Sequence, residues 1–336
     1  MTINLVCVGA CYLDTILRQD CSSFGCCSVP HYPNEDSKLR ASNLQVRRGG
    51  NCPNTLEVLQ QLLREEQGAR ESDEVRPYLV TCLPGRNAPA TMRIIESFGP
   101  DTPVDFSRCI FRDESEDPAS SYIIRNLASG SRTIVNYNDL AEMTFDEFVA
   151  VAESLGGDKT WYHFEGRIPA TTLQCIQWLR RSNPKARVSV EIEKPGREGL
   201  ENLVAEADVV FFSRSWAESK LYRSAEECLV AQSAKARRGS HLFCTWGSQG
   251  AAWASPDGAT TVSCPATQSG QTIRVLDTVG AGDTFIAGIL FGFLHHDYEW
   301  NSWAKLSFAV QLATCKVQQE GFDDLSFKVL RRVAVA

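Results

Sequence analysis

Short β-rich runs, each followed by a stretch of helical periodicity, recur along most of this chain. Ile3 to Gly9 reads as a buried strand, Pro53 to Glu66 as a helix, Pro77 to Leu83 as a strand and Arg86 to Phe98 as a helix. The pairing returns at Trp161–Phe164 with Thr171–Arg181, at Arg187–Glu193 with Arg197–Ala205, and at Asp208–Phe212 with Ser224–Arg237. Helical patterns at Ala281–His296, Trp303–Gln319 and Phe327–Val333 close the chain. Repeated strand–helix units predict a mostly parallel sheet covered on both faces, an α/β architecture. With 336 residues and 43% apolar composition the chain can fill such a core.

Two regions break the alternation. Leu44 to Val46 with its preceding loop, and Asp105 to Tyr137, carry runs that alternate apolar and polar residues at period two with no helix between them. Phe106–Phe111, Ser121–Ile124 and Thr133–Tyr137 therefore read as an antiparallel sheet with one solvated face.

A net charge of -7, without any Lys/Arg-rich stretch interleaved with aromatics, argues against nucleic acid and anionic membranes as partners. The first apolar run is too short for a signal peptide and none reaches the roughly 18 residues of a membrane span, so a cytoplasmic protein is expected. Thirteen cysteines invite a disulfide or zinc reading, but the count is odd and no Cys-x-x-Cys pair occurs. Cys7, Cys82, Cys175 and Cys244 sit in apolar runs as small hydrophobes, whereas Cys21, Cys26 and Cys27 fall in a polar loop.

The richest chemical signal is Asp277-Thr278-Val279-Gly280-Ala281-Gly282-Asp283-Thr284-Phe285, a glycine-rich turn opening an apolar helix. Unpaired first-turn amides and the positive end of the helix dipole make the turn a place for an anion. A carboxylate beside that anion needs a reason: Asp283 either caps the helix or handles a proton.

This segment is similar to the carboxyl-terminal signature of the ribokinase-like sugar kinases, the phosphofructokinase-B family. Further stretches resemble the ketohexokinases (fructokinases) within it: Tyr32–Ser37, Arg48–Asn54, Ser129–Ile134, His163–Arg167, Val188–Pro195 and Gly321–Asp323. The matches follow the family's order from Val8 to about Asp324. They imply a ribokinase-like three-layer α/β/α fold with a small β-sheet lid. The α/β core would take residues 1–10, 48–102 and 139–336, and the lid 11–47 and 103–138. In ketohexokinases the lids of two subunits clasp each other, which implies a homodimer. The chain departs from the pattern by a Cys- and Ser-bearing loop at about Asp20 to Pro30 and a charged insertion at Arg64 to Arg76.

The resemblance also assigns roles. Gly280, Ala281 and Gly282 would form the anion hole, Asp283 the base, and Arg132 a contact to the transferred phosphate. Asp14, Asp36, Gly50, Asn51 and Asn54 would bind the sugar, with Glu165 and Arg167 as further candidates. Read by themselves, Asn51 is a helix cap, Asp36 a turn residue, Arg132 a surface charge and the Glu165/Arg167 pair a salt bridge. Thr245, Gly247 and Gly250 resemble the nucleotide loop, and Gly321 and Phe322 the stretch that lines the adenine. Ser213-Arg214-Ser215-Trp216 stands where many relatives carry Asn-x-x-Glu near magnesium, so the metal's support is unassigned, with Glu191, Glu193 and Lys194 as outer candidates.

The expected function is therefore ATP- and Mg2+-dependent phosphorylation of a ketohexose, D-fructose at its 1-position, with K+ an open third cofactor. The alternatives are a kinase for another sugar or nucleoside, and a non-catalytic sugar-sensing or scaffold member.

Overall fold

The computed structural model describes residues 2–18, 34–36, 38, 41, 43–66, 74–125, 132–155, 159–258, 260–267 and 273–333. Cys21, Cys26, Cys27, Tyr32, Pro33, Ser37 and Ser129–Ser131 lie outside them, as do residues 67–73 of the charged insertion and the side chain of Arg132. The chain begins with β1 (Thr2–Val8), β2 (Tyr12–Arg18) and β3 (Asn43–Gly49), then α1 (Asn51–Glu66), β4 (Glu74–Val80), β5 (Cys82–Pro84) and α2 (Pro89–Glu96). It continues through β6 (Ile110–Arg112), β7 (Ser120–Arg125), β8 (Arg132–Tyr137), α3 (Phe145–Leu155), β9 (Thr160–Phe164), α4 (Pro169–Ser182) and β10 (Arg187–Ile192). Next come β11 (Val209–Phe212), α5 (Arg214–Ser219), α6 (Ala225–Ser233), β12 (His241–Thr245), β13 (Ala251–Ala254) and β14 (Thr261–Cys264). Three helices, α7 (Ala281–His295), α8 (Ser302–Val317) and α9 (Leu325–Val333), end it.

Eight strands form the main sheet in the order β14-β13-β12-β11-β10-β9-β1-β4, parallel from β4 to β12 and antiparallel at β13 and β14. Alternate residues of each strand feed two separate cores, as a pleated strand buried on both faces requires. Leu5, Cys7, Val209 and Phe211 join the α1/α7/α8/α9 side, while Val6, Val8, Val210 and Phe212 join the α3/α4/α6 side. The result is the three-layer α/β/α arrangement.

The second sheet is β3-β2-β7-β8 and is mixed, because β2 runs parallel to β7. The antiparallel expectation is corrected here: β2 and β7 are neighbours in space but a hundred residues apart in sequence, and period-two patterning does not encode strand direction. Phe106–Phe111 is not a strand of this sheet. Its end forms β6, parallel to β5, because Asp105 N donates to Pro77 O and the Cys109 thiol to Leu79 O, tying the segment to the edge of β4. Arg197–Ala205 also differs, forming only a short 3-10 turn from Leu200. Among the described residues no helix is long and apolar enough to cross a membrane.

Candidate active site

The strands β9 to β12 all deliver their carboxyl ends to one edge of the main sheet, where an open α/β sheet places its ligand crevice. Glu165 follows β9, Glu193 follows β10, Ser213 follows β11 and Thr245 ends β12; all four line one cleft of about 510 Å³. The four-stranded sheet forms its roof. Rows Asp14–Ser121–Asn136 and Ile16–Ile123–Ile134 occupy one face by register, and Asp14, Ser121, Ile123, Ile134 and Asn136 line the cleft.

The floor is the start of α1. Gly50 has φ +106°, and a Cβ there would sit 2.2 Å from the Ala10 carbonyl oxygen, so only glycine lets β3 turn into the helix against the exit of β1. Asn51 and Asn54 then project from one face of the first turn. Asn51 Nδ2 donates to Glu191 Oε2 at 2.7 Å and to Glu193 Oε2 at 3.1 Å. Asn54 Nδ2 donates to Asp283 Oδ2 at 2.8 Å, while Asn54 Oδ1 is buried without a hydrogen-bond partner.

Asp283 enters from the first turn of α7, a helix buried along nearly its whole length. The turn before it is left-handed at Gly280 (φ +78°), and a Cβ there would strike the Phe322 ring at 2.3 Å; the space in front of Gly282 is open. Asp277 braces the turn. Its Oδ1 accepts from Val279 N at 3.1 Å, and its Oδ2 receives the ammonium of the fully buried Lys316 at 3.1 Å, with Arg47 of β3 at 3.7 Å. Lys316 also donates to the carbonyls of Asp277 and Gln319. Burial would raise the Asp277 carboxyl, but Lys316, the Val279 amide and Arg47 together outweigh it and hold the group below its ordinary value.

Three buried carboxyls face one another across the cleft. Burial first, then the Glu191 charge, raise Asp283 well above an ordinary aspartate, against the pull of the Asn54 hydrogen bond. Burial and Glu191 push Glu165 up to about 7, and burial and Glu193 push Glu191 up to about 8. Such crowding of buried acids is a mark of functional sites. Glu165 Oε2 accepts from Ala10 N at 2.8 Å. Arg167 does not pair with Glu165 as the salt-bridge reading expected; its Nε bonds Glu142 Oε1 at 2.8 Å and its guanidinium reaches the Tyr12 hydroxyl.

A second cavity of about 740 Å³ opens on the far side of the glycine turn, with Thr245, Thr278, Gly282 and Phe285 lining both. Its walls are apolar, with Val310, Ala313 and Val317 from α8 and Ile273 and Val275 opposite, and Gly247, Gly250 and Ala281 at its rim. Gly321 and Phe322 line neither cavity; Phe322 backs the turn at Gly280 instead. Asp36 also stays out of the cleft, in an exposed turn at φ +58°. The cleft thus gathers Asp14, Gly50, Asn51, Asn54, Glu165, Arg167, Glu191, Glu193 and the 280–283 turn. Residues not expected from the sequence are Lys316, Arg47 and the α8 wall, since a lysine inside a helix reads as solvated and a cavity wall has the same periodicity as core.

A family model described as pfkB family carbohydrate kinase matches residues 3–327. Mouse (Mus musculus) ketohexokinase is 32% identical over 333 residues, covering 96% of this chain and 98% of that protein. Among solved structures, ribokinase from Giardia lamblia superposes with a TM-score of 0.75 at 14% identity, over 100% of this chain and 99% of that one. Arabidopsis thaliana ribokinase, complexed with ribose and ATP, gives 0.72 at 17% identity, over 98% of both chains.

Proposed function

The chain belongs to the pfkB family of carbohydrate kinases, and from that premise we propose that it transfers the γ-phosphate of ATP to a ketohexose, D-fructose at its 1-hydroxyl. One observation carries this reading: a polar, carboxyl-lined cleft and an apolar cavity meet at a single glycine turn, with Asp283 at the junction. The 32% identity to a ketohexokinase over nearly the whole chain supports the choice of sugar.

The apolar cavity suits a nucleobase, and the amides of Gly280–Gly282 suit the phosphates that follow it. A sugar in the cleft would find Asp14, Asn51 and Asn54 for its hydroxyls, with Gly50 at the floor. Asp283 accepts the proton of the attacking hydroxyl; the sugar oxygen bonds phosphorus as the bridging bond to ADP breaks. The raised basicity of Asp283 matches that task, since a stronger base takes up the hydroxyl proton more readily. Glu191 and Glu193, which line the cleft, would be the outer supports of a hydrated magnesium ion, and that ion would offset charge on the phosphate oxygens.

ADP release over a panel of ketoses, aldoses and nucleosides tests the assignment. The highest kcat/KM is expected with fructose; turnover confined to an aldose or nucleoside would reassign the substrate, and none with any acceptor would reject the kinase.

A homodimer is proposed from the lid. The sheet face turned away from the cleft carries Leu44, Tyr122 and Val135, which are 61%, 52% and 63% exposed. A second copy would cover that apolar face. Light scattering should then give twice 37.2 kDa, and a monomer at micromolar concentration would remove the clasp while leaving the kinase reading intact.

A further inference from the structure

Behind the sugar cleft runs a buried chain of hydrogen bonds whose direction is fixed at its far end. Trp161 Nε1 donates to Ser189 Oγ at 2.8 Å, and an indole N–H can only donate. His163 Nδ1 lies 2.9 Å from the same Ser189 oxygen, and His163 Nε2 lies 3.1 Å from Glu191 Oε1. Among the described residues Trp161 and His163 are the partners of the Ser189 side chain, and Ser189 and His163 are fully buried. If His163 carried its proton on Nδ1, the serine oxygen would accept twice and its own proton would be buried with no acceptor. The serine therefore donates to Nδ1, and the neutral imidazole donates from Nε2 to Glu191. Burial, which pushes His163 down to about 3, agrees with a neutral ring.

Glu191 then accepts on both oxygens, from His163 on Oε1 and from Asn51 Nδ2 on Oε2. With its amide nitrogen turned to Glu191 and Glu193, Asn51 leaves its carbonyl oxygen for a ligand in the cleft. One turn on, Asn54 repeats the arrangement with Asp283 as the anchor and a buried, unpartnered Oδ1. Two acceptors on one helical face read two donors.

We propose that His163 is a positioning residue for sugar recognition: acting through Glu191, it fixes Asn51 as an acceptor, so that the subsite reads the donor capacity of a substrate hydroxyl. Without that donor Glu191 loses the contact that holds its Oε1, and the Asn51 amide anchored on its Oε2 is released to turn its nitrogen to the cleft. The proposal rests on the sugar-kinase reading, and its consequence is chemical: fluorine, which cannot donate, is rejected by the native subsite and tolerated by a turned amide.

The test compares fructose with its deoxy and deoxyfluoro analogues at each non-reacting hydroxyl, in the parent, His163→Phe, Ser189→Ala and His163→Gln, with imidazole 15N shifts recorded on the same samples. In the parent, fluorine at the hydroxyl met by Asn51 should cost kcat/KM as much as hydrogen does, about ten-fold or more. His163→Phe should raise the fructose KM about ten-fold with ATP KM unchanged, and should shrink the fluorine penalty to a few-fold. Ser189→Ala, the smaller change, should move the same way, and His163→Gln, which keeps a donor toward Glu191, should restore the parent pattern. The 15N shifts should report a neutral Nε2–H ring. An Nδ1–H ring or an imidazolium would overturn the proposal, as would an unchanged fluorine penalty in folded His163→Phe and Ser189→Ala. Failure of the parent to phosphorylate any sugar would sink the kinase reading instead, with the ring tautomer still deciding the direction of the chain.

Discussion

At the residue scale, Asp283 is held by opposing forces that can be tuned separately. Burial raises its pKa most, the neighbouring Glu191 charge raises it further, and the Asn54 hydrogen bond lowers it. A base must be ionised, so kcat should rise with pH along an acid limb lying above the ordinary aspartate range of about 4. Asn54→Ala should move that limb to higher pH and Glu191→Gln to lower pH, measured as kcat at saturating sugar; shifts of the same sign would mean that another group titrates. The stability sign follows from the same shift. A carboxyl whose folded pKa is raised favours the fold below its unfolded pKa and loses that contribution as pH rises through the folded value, so ionised Asp283 costs stability at neutral pH. Some of this was legible in the chain: a carboxylate directly after Gly-x-Gly at a helix start conflicts with simple anion binding and so marks itself. His163 was not, because a histidine in an apolar strand looks like any core residue until its partners on β10 are known.

At the element scale, the glycine turn owes its shape to a buried ion pair rather than to a cap, since α7 has no side-chain N-cap. Lys316 spans from α8 to Asp277, and Asp277 in turn holds Val279 N. Lys316→Met leaves a buried carboxylate whose remaining cation among the described residues is Arg47 at 3.7 Å, and breaking such a pair costs about 3–5 kcal/mol. ATP KM should rise by about ten-fold or more through loss of turn geometry, with sugar KM changed less. A variant whose sugar KM rises while ATP KM holds would separate Lys316 from the phosphate turn. The alternation of strands and helices made the main sheet readable, because each buried run and its helix are local in sequence. Pairings such as β2 with β7 were not readable, since direction and partner are set by contacts across a hundred residues. That is also why Phe106–Phe111, alternating like a lid strand, was misplaced.

At the scale of the whole molecule, two cavities contributed by different layers converge on one turn, and the account stands or falls on whether that convergence transfers phosphate through Asp283. Asp283→Asn keeps the size of the side chain and a carbonyl oxygen for Asn54 Nδ2, so the cavities should survive. It removes the proton acceptor, which should lower kcat by about 10²–10⁴-fold. The decisive measurement is ADP release, thermal unfolding and ligand-induced stabilisation by ATP and by fructose on one preparation of parent and variant. The account predicts lost turnover, retained stabilisation by both ligands, and a melting temperature at neutral pH equal to or above the parent's, because a buried charge has gone. Turnover within a few-fold of the parent, with both ligands still bound, would reduce Asp283 to a helix-end residue and contradict the account at its centre.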